Sequence, residues 1–593
     1  MCGIFSYFGP KDKAAEIVLK GLKKLEYRGY DSWGIAAKIA DGSINIEKHV
    51  GKISEVISLN NEVSMPSHLA LGHSRWATHG GVTQYNAHPH STENGDVVVV
   101  HNGIFENYLE LKQKLIEEGH QFRSETDSEV FAHLIEENIK KDGFEKSFIK
   151  ACGMVTGRYA ILALGKYENK IIAARRGSPL IVGKAKDGAH FIASDVPAFL
   201  EYTKDVMYLD DNQMVAIDEK GARFIDLGSE KEIEKRIISI DWKEEMADKG
   251  SYSHFMMKEI MEQKETIARA INLDTEKLTA LAEKIKHAYG TYIVGCGTAG
   301  KVAMVGEYLF GEIAKKHVNV KFGSEFASVK NFLTDRSLVI AISQSGETAD
   351  TLEALEIAKS KGATVVSIVN VETSTMARLS DIVLPLKAGP EKAVASTKAT
   401  TSQIAILTLL AYAVAGKLDE GRQMLIAAQG KINDMINPRY EERIDALSEE
   451  IKDSKDIVII GRGANFPIAL EAAIKLQEVS YIHAEGFAGG ELKHGPIALI
   501  SEGTPCIVIA SNEEYKSEIL SNAMEVKSRG GLIIGIAPEN AEVFDIWIKV
   551  PDVGPAAPIV NIIPIQMLAY KLAVARQNNP DMPRNLAKSV TVK

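Results

Sequence analysis

The sequence predicts two fold classes in one chain, an α+β half followed by an α/β half built from a repeated lobe with parallel sheets. Three observations carry this expectation. Residues 1 to about 240 mix strand-like runs with few, well-separated amphipathic helices. The remainder matches itself at an offset of about 165 residues. Each copy alternates buried strands with helices, the pattern of parallel sheets covered on both faces.

Composition sets the outer bounds. A chain of 593 residues is too long for one core, so roughly three or four compact units are expected. The apolar fraction of 45% and charged fraction of 25% are ordinary for a globular protein. A net charge of -10 leaves no basic footprint for nucleic acid or an anionic membrane. Cys2, Cys152, Cys296 and Cys506 are too few and scattered for a disulfide framework or a cysteine metal site, which fits a reducing cytoplasm. The N-terminus lacks the basic-then-apolar pattern of a signal peptide. The longest apolar stretch, from Ile404, is too short to span a bilayer and reads as a buried helix. A soluble, cytoplasmic protein is expected.

In the first half, AAEIVLKGLKKLEY places Ile17, Leu19, Leu22 and Leu25 at helical spacing. WGIAAKIA, INIEKHV, LALGHSRWA, VVVVHNG, YAILALG, KIIAARR and MVAID read as strands. ENYLELKQKLIEEG and DSEVFAHLIEENIKK read as helices between strand groups, so sheets should be layered between helices. A charged segment without core periodicity puts the domain boundary near residue 240.

The second half, 241–593, divides into a first lobe at about 250–425, a second at about 440–580 and a tail at 584–593. TYIVGCGTAG matches IVIIGRGAN, and LVIAIS matches PCIVIAS. Ligands in such sheets sit at the carboxyl ends of strands. There the copies diverge: the first has SQSGET and the second SNEEYK. That predicts one anion site, in the first lobe.

SQSGET supplies the hydroxyls of Ser343, Ser345 and Thr348, the amide of Gln344, and Gly346 for close backbone approach. With a helix start behind it, the loop is a phosphate cradle, though Ser and Thr at a helix start also serve simply as caps. It lacks the lysine of a nucleotide P-loop. Glu471, Lys475 and Glu478 fall on one helical face among small apolar neighbours. They are either a solvated salt-bridged stripe or a buried charge cluster that needs partners or a job. His494 in ELKHGP is a candidate acid/base or a loop hydrogen-bonder. Lys588 is a candidate Schiff-base amine if desolvated, and otherwise a solvated terminal lysine. Cys2 becomes a thiol and an α-amine on one residue once Met1 is removed. Arg75 suits a carboxylate, and Asn102 with the Gly103 N–H forms the kind of donor pair used as an oxyanion hole. Asp127 suits an ammonium, although Thr126 or Asp127 could equally cap a helix.

CGI, LEYRGYDS, GHSRWATHG, NAHPH, HNGIFEN and SETDSE together resemble a class II glutamine amidotransferase domain of the N-terminal-nucleophile hydrolase type. CGT, SQSGET, VASTKA, ELKHGP and LAKSVTV resemble the paired sugar isomerase domains of the glutamine–fructose-6-phosphate aminotransferase family. The resemblance runs essentially end to end and implies a four-layer αββα first domain. It implies that Cys2 attacks glutamine with its own α-amine as base, that Asn102 and Gly103 hold the oxyanion, and that Arg75 and Asp127 hold the α-carboxylate and α-ammonium. Trp76, Thr78 and His79 join that glutamine site, with Trp76 gating ammonia and Arg28 in a closing loop. Thr298, Ser343, Gln344, Ser345, Thr348, Val394 and Ala587 would bind the sugar phosphate. Lys588 would form the Schiff base with fructose 6-phosphate, His494 would reach in from a neighbouring subunit to open the ring, and Glu478 would move the C1–C2 proton with support from Lys475 and Glu471. A homodimer or higher homo-oligomer follows, with no ATP, metal or other cofactor. Ala299 and Lys264 depart from the family pattern, the first losing a hydroxyl at the sugar site.

Three competing functions are distinguishable. An amidotransferase with another acceptor needs nucleotide or diphosphate motifs, which the sequence lacks. A sugar-phosphate sensor explains SQSGET but not Cys2, Glu478, His494 and Lys588 together. A related amidotransferase or deaminase acting on another sugar phosphate shares every motif and stays open.

Overall fold

A computed structural model of the chain describes residues 2–56, 65–240, 249–512 and 514–591. Met1, the stretch 241–248 next to the expected boundary, Glu513 of the SNEEYK loop and residues 592–593 of the tail lie outside the described residues. The chain forms two compact units, 1–246 with 587–593, and 247–586.

The first unit holds two antiparallel sheets. One runs in the order Ile238–Ser239, Asp205–Tyr208, Ile181–Lys184, His190–Ala193, Gly3–Phe8, Leu69–Arg75, Ser32–Lys38 and Ile44–Val50. The other runs Glu232–Ile233, Gly221–Asp226, Gln213–Asp218, Ile171–Arg176, Tyr159–Gly165, Val97–Gly103 and His90–Ser91. Side chains in a strand alternate between faces, and here both faces are buried. Phe5 and Tyr7 pack with the helix Ala14–Lys24, while Ile4 and Phe8 face the second sheet. Val98 and Val100 meet that inter-sheet core, while Val97 and Val99 pack beneath the helices Tyr108–Glu117, Glu129–Asp142 and Phe144–Met154. The result is the four-layer αββα arrangement. Its central strand, GIFSYF, escapes a period-two reading because all six residues are buried.

The second unit contains two five-stranded parallel sheets of identical order. The first runs Asn319–Phe322, Gly290–Gly295, Ser337–Ser343, Thr364–Val369 and Ile382–Pro385. The second runs His483–Ala488, Asp456–Gly461, Pro505–Ile509, Leu532–Ala537 and Ile546–Lys549. In the first, Ile340 and Ile342 face a core shared by both lobes, while Val339 and Ala341 face the helix Ala349–Ser360. The helix Thr298–Ala314 lies on the shared-core side. Helices therefore leave adjacent strands on opposite faces, opening a crevice at the strands' carboxyl ends. GCGTAG serves packing as well as this crevice: a Cβ at Gly300 would stand 2.5 Å from the Phe322 ring.

The Ile404 stretch lies in the fully buried helix Lys398–Val414, as expected. It is not the longest apolar run, because Gly554–Ala575 is long and apolar enough to cross a membrane. Asn561 and Gln566 interrupt that run in the sequence, yet both are buried and hydrogen-bonded, and 89% of the helix's apolar window is inside the core.

Candidate active site

Cys2 directly precedes the central strand of the first sheet, where Gly3 pairs with Ser74 of Leu69–Arg75. That register sets the thiol against Trp76: the Trp76 N–H donates to Cys2 Sγ at 3.1 Å, and the thiol donates back to the Trp76 carbonyl at 3.4 Å. Burial pushes the Cys2 thiol up, opposed by the Trp76 N–H and the Arg75 guanidinium. A thiol so placed rests protonated, and would need a base to take its proton before it could act as a nucleophile.

The second sheet delivers the partner groups. Asn102 and Gly103 end the strand Val97–Gly103, and Asn102 Nδ2 donates to the Cys2 carbonyl at 3.0 Å. Gly103 has φ +128°, and a Cβ there would stand 2.1 Å from the Arg158 carbonyl, so only glycine fits. Both residues line a cleft together with Cys2, Arg75, Trp76, Thr78, His79 and Asp127. Sequence reasoning missed four more lining residues, His88, His101, Thr126 and Ser128. Two of these lie inside NAHPH and HNGIFEN, so the motifs marked the region while their histidines went unread. Burial holds His101 down to about 4 and His88 well below the ordinary range, so both rings present neutral polar edges to the cleft.

Arg75 is buried and donates to the carbonyls of His79, Gly80 and Gly81, shaping the loop that carries Thr78 and His79. Asp127 does not cap the following helix, as one reading of ETDSEV allowed. Its Oδ2 accepts from the Phe105 N–H at 2.8 Å, and Ser128 precedes Glu129–Asp142 without a side-chain cap bond. Thr126 Oγ1 instead bonds His90 Nε2 at 3.1 Å. Arg28 does not line the cleft; its guanidinium pairs with Asp195 Oδ2 at 2.8 Å. Its loop is still tied to the cleft wall, because Asp31 Oδ2 accepts from the Ala77 N–H at 2.8 Å.

In the second unit, Ser343–Thr348 fills one side of the crevice and Cys296–Thr298 the other, linked by Cys296 Sγ to Thr351 Oγ1 at 3.3 Å. Gly346 has φ +68°, and its N–H donates to Ser343 Oγ at 2.9 Å. The Glu347 N–H lies 3.2 Å from Ser345 Oγ, and Glu347 Oε1 accepts from the Thr375 N–H at 2.7 Å, pinning the loop. Thr348 makes no side-chain cap bond, so the simple capping role does not account for its hydroxyl. In the second lobe the corresponding Ser511 hydroxyl is taken by the amides of Asn465 at 3.0 Å and Asn561 at 2.8 Å. The two lobes thus engage the corresponding hydroxyls differently, Ser511 with side-chain amides and Ser343 with the backbone of its own loop.

Glu471, Lys475 and Glu478 are no solvated stripe. Lys475 is fully buried on the helix Asn465–Ser480, with Glu471 Oε1 at 3.4 Å and Glu478 Oε2 at 2.6 Å. Burial pushes the Glu471 carboxyl up to about 7, with Lys475 opposing, and its Oε2 has no hydrogen-bond partner among the described residues. Two carboxylates keep Lys475 charged against the cost of burial. Thr298 Oγ1 donates to Glu471 Oε1 at 3.0 Å, joining the first-lobe crevice to the second-lobe helix. The Val394 N–H donates to the Asp581 carbonyl at 3.0 Å. His494 is exposed and lines a separate cleft with Arg462 and Lys493, one that includes none of Glu471, Lys475 and Glu478. Ala587 and Lys588 are half-buried in the segment that groups with the first unit.

An N-terminal cysteine cleft in an αββα domain, followed by paired parallel lobes with one hydroxyl-rich loop, defines a glutamine amidotransferase coupled to a sugar isomerase. The family profile for a glutamine amidotransferase domain matches residues 45–223, and that for the SIS domain matches 284–413 and 450–576. The chain belongs to the glutamine–fructose-6-phosphate aminotransferase (isomerizing) family: it is 44% identical to that enzyme of Pyrococcus horikoshii and 43% identical to that of Thermococcus kodakarensis, over 100% of each chain. The C-terminal domain of glucosamine-fructose-6-phosphate aminotransferase from Francisella tularensis superposes at a TM-score of 0.53 and 35% identity, over 56% of this chain and 99% of that one.

Proposed function

We propose that the chain converts L-glutamine and D-fructose 6-phosphate into L-glutamate and D-glucosamine 6-phosphate. The observation that carries this is the presence on one chain of a cysteine cleft with an Asn102–Gly103 donor pair and a buried Glu471–Lys475–Glu478 cluster beside a hydroxyl-rich anion loop.

In the glutamine half, Cys2 Sγ attacks the side-chain amide carbon and its proton passes to the Cys2 α-amine, which is free once Met1 is absent; α-amines ordinarily titrate at about 8. Asn102 Nδ2 and the Gly103 N–H stabilise the oxyanion, worth about 10²–10³-fold per donor. Ammonia leaves, and water hydrolyses the thioester to glutamate. Arg75, with the Thr78–His79 loop that it shapes, takes the α-carboxylate, and Asp127 takes the α-ammonium. Trp76, whose backbone already holds the thiol, stands where ammonia must pass, and Arg28 steadies the adjoining loop.

In the sugar half, Ser343, Gln344, Ser345 and Thr348 bind the phosphate, with Thr298, Ala587 and the Val394 carbonyl on the sugar. His494, supplied by a second subunit, opens the ring. The Lys588 amine condenses with the C2 ketone and releases water. Ammonia then replaces Lys588 on C2, and Glu478 takes a proton from C1 and returns it to C2, leaving a 2-amino aldehyde. Lys475 holds Glu478 in place, and Glu471 is the neighbour that can carry a proton near neutral pH. A homodimer or higher homo-oligomer in the cytoplasm fits the His494 placement and the free cysteines.

The test is direct. Purified protein given both substrates should yield glucosamine 6-phosphate and glutamate in equal amounts, and glutamate without the amino sugar overturns the acceptor. Another hexose or pentose phosphate consumed in preference would favour the related amidotransferase or deaminase reading.

A further inference from the structure

We propose that His120, His133 and Glu136 form a divalent-metal site, suited to Zn(II), on the helical layer of the first unit. His133 and Glu136 are three apart on the helix Glu129–Asp142 and share one face, and His120 comes from the turn after Tyr108–Glu117. None of the three lines the glutamine cleft.

Three donor atoms converge on one point. His120 Nδ1 and His133 Nδ1 stand 3.1 Å apart, and Glu136 Oε2 lies 3.2 Å from the second and 3.3 Å from the first. Ligands at about 2.0–2.1 Å from a tetrahedral ion stand about 3.3 Å from one another, so the triangle already has the edge length of a zinc face. Two imidazoles and one carboxylate are a donor set for zinc rather than for magnesium or calcium, and they leave a fourth position for water.

One outer ring nitrogen fits the same reading. His120 Nε2 bonds Glu137 Oε2 at 2.9 Å, while Glu129 Oε1 lies 3.8 Å from His133 Nε2, beyond hydrogen-bond length. Metal-binding histidines typically give their other N–H to a carboxylate, which fixes the tautomer with the lone pair toward the ion. With His120 in that tautomer, its Nδ1 lone pair and Glu136 Oε2 both face His133 Nδ1, and His133 is fully buried. A cation would satisfy all three donor atoms together; the competing arrangement is a proton on His133 Nδ1, shared with His120 or given to Glu136. Occupancy would also brace the segment leading to Asp127, because Glu129 accepts from the N–H groups of Arg123 at 2.8 Å and Ser124 at 2.7 Å.

The experiment uses the full chain carrying Cys2→Ala, which removes the competing thiol, stripped with chelator and titrated with Co(II). Visible d–d bands saturating at one equivalent per chain, and bleached by Zn(II), are expected. Glu136→Gln and His120→Ala, both partly exposed positions, should abolish them, and Glu137→Gln should weaken binding about ten- to hundredfold. X-ray absorption of the zinc-loaded Cys2→Ala chain gives a readout that needs no variant at the site, and a nitrogen/oxygen shell is expected. Absence of stoichiometric bands, bands that survive both Glu136→Gln and His120→Ala, or a sulfur shell would overturn the site in favour of the shared proton.

Discussion

His73 Nε2 stands 3.1 Å from Asn102 Oδ1 and 3.0 Å from the His101 carbonyl. Both neighbours are acceptors, and burial holds the ring down to about 3, so His73 is neutral with its proton on Nε2. Donating to Oδ1 forces the Asn102 NH₂ to face Cys2, which is the orientation an oxyanion donor needs. Asn102→Ala should lower kcat for glutamine hydrolysis about 10²–10³-fold with little change in KM. His73→Leu should produce a smaller kcat loss in the same direction, since His73 acts only by positioning the amide. A KM effect without a kcat effect in either variant would contradict the oxyanion role.

Cys2 carries the second prediction. The Cys2→Ala protein should lose glutamine hydrolysis and keep isomerisation of fructose 6-phosphate, because the groups assigned to each reaction belong to different sites. A variant that retains Met1, confirmed by intact mass, should behave like Cys2→Ala. An amide nitrogen cannot accept the thiol proton, and the Cys2 thiol is held up by burial. Full glutaminase activity with Met1 in place would show that some other base serves Cys2.

Gly346 tests the anion loop. Its φ of +68° suits glycine, and a Cβ would sit 2.1 Å from Ser374 Oγ and 2.8 Å from Val369 Cγ2. Gly346→Ala must displace the loop that offers Ser343, Ser345 and Thr348, so KM for fructose 6-phosphate should rise at least about tenfold while glutaminase activity stays at wild type. A left-handed alanine costs on the order of 1–3 kcal/mol, so a thermal shift should accompany the change. Unchanged sugar affinity in a folded variant would move the phosphate elsewhere.

Much of this was legible in the residues because its determinants are local. The αββα strands announce themselves by runs such as VVVVHNG, where successive valines serve two cores, and the duplicated lobe by its matched strand–glycine–helix units. GIFSYF was not, because a central strand buried on both faces shows no alternation. Asp127 could not be told from a helix cap, since what distinguishes them is the Phe105 N–H, a long-range partner. His73 was equally invisible, since its role depends on a neighbouring sheet that holds Asn102. Glu471 shows the same limit from the other side: its spacing to Lys475 suggested a pair, but only burial makes it titrate where it does.

That last point yields a pH prediction. Burial raises the Glu471 carboxyl from the ordinary 4.5 to about 7, against the opposing pull of Lys475. The folded chain then holds this proton more tightly than the unfolded chain does. Its contribution favours folding at acid pH and is lost as pH rises from about 4.5 to about 7, a change on the order of a few kcal/mol. Glu471→Gln keeps an acceptor for the Thr298 hydroxyl and leaves Lys475 paired with Glu478, but cannot titrate. Its unfolding curve should therefore be flatter than wild type between about pH 5 and 8. The variant should gain on the wild type toward the alkaline end and fall behind toward the acid end. Thermal unfolding of both proteins across that range measures the difference, and parallel curves would mean that Glu471 is ionised throughout.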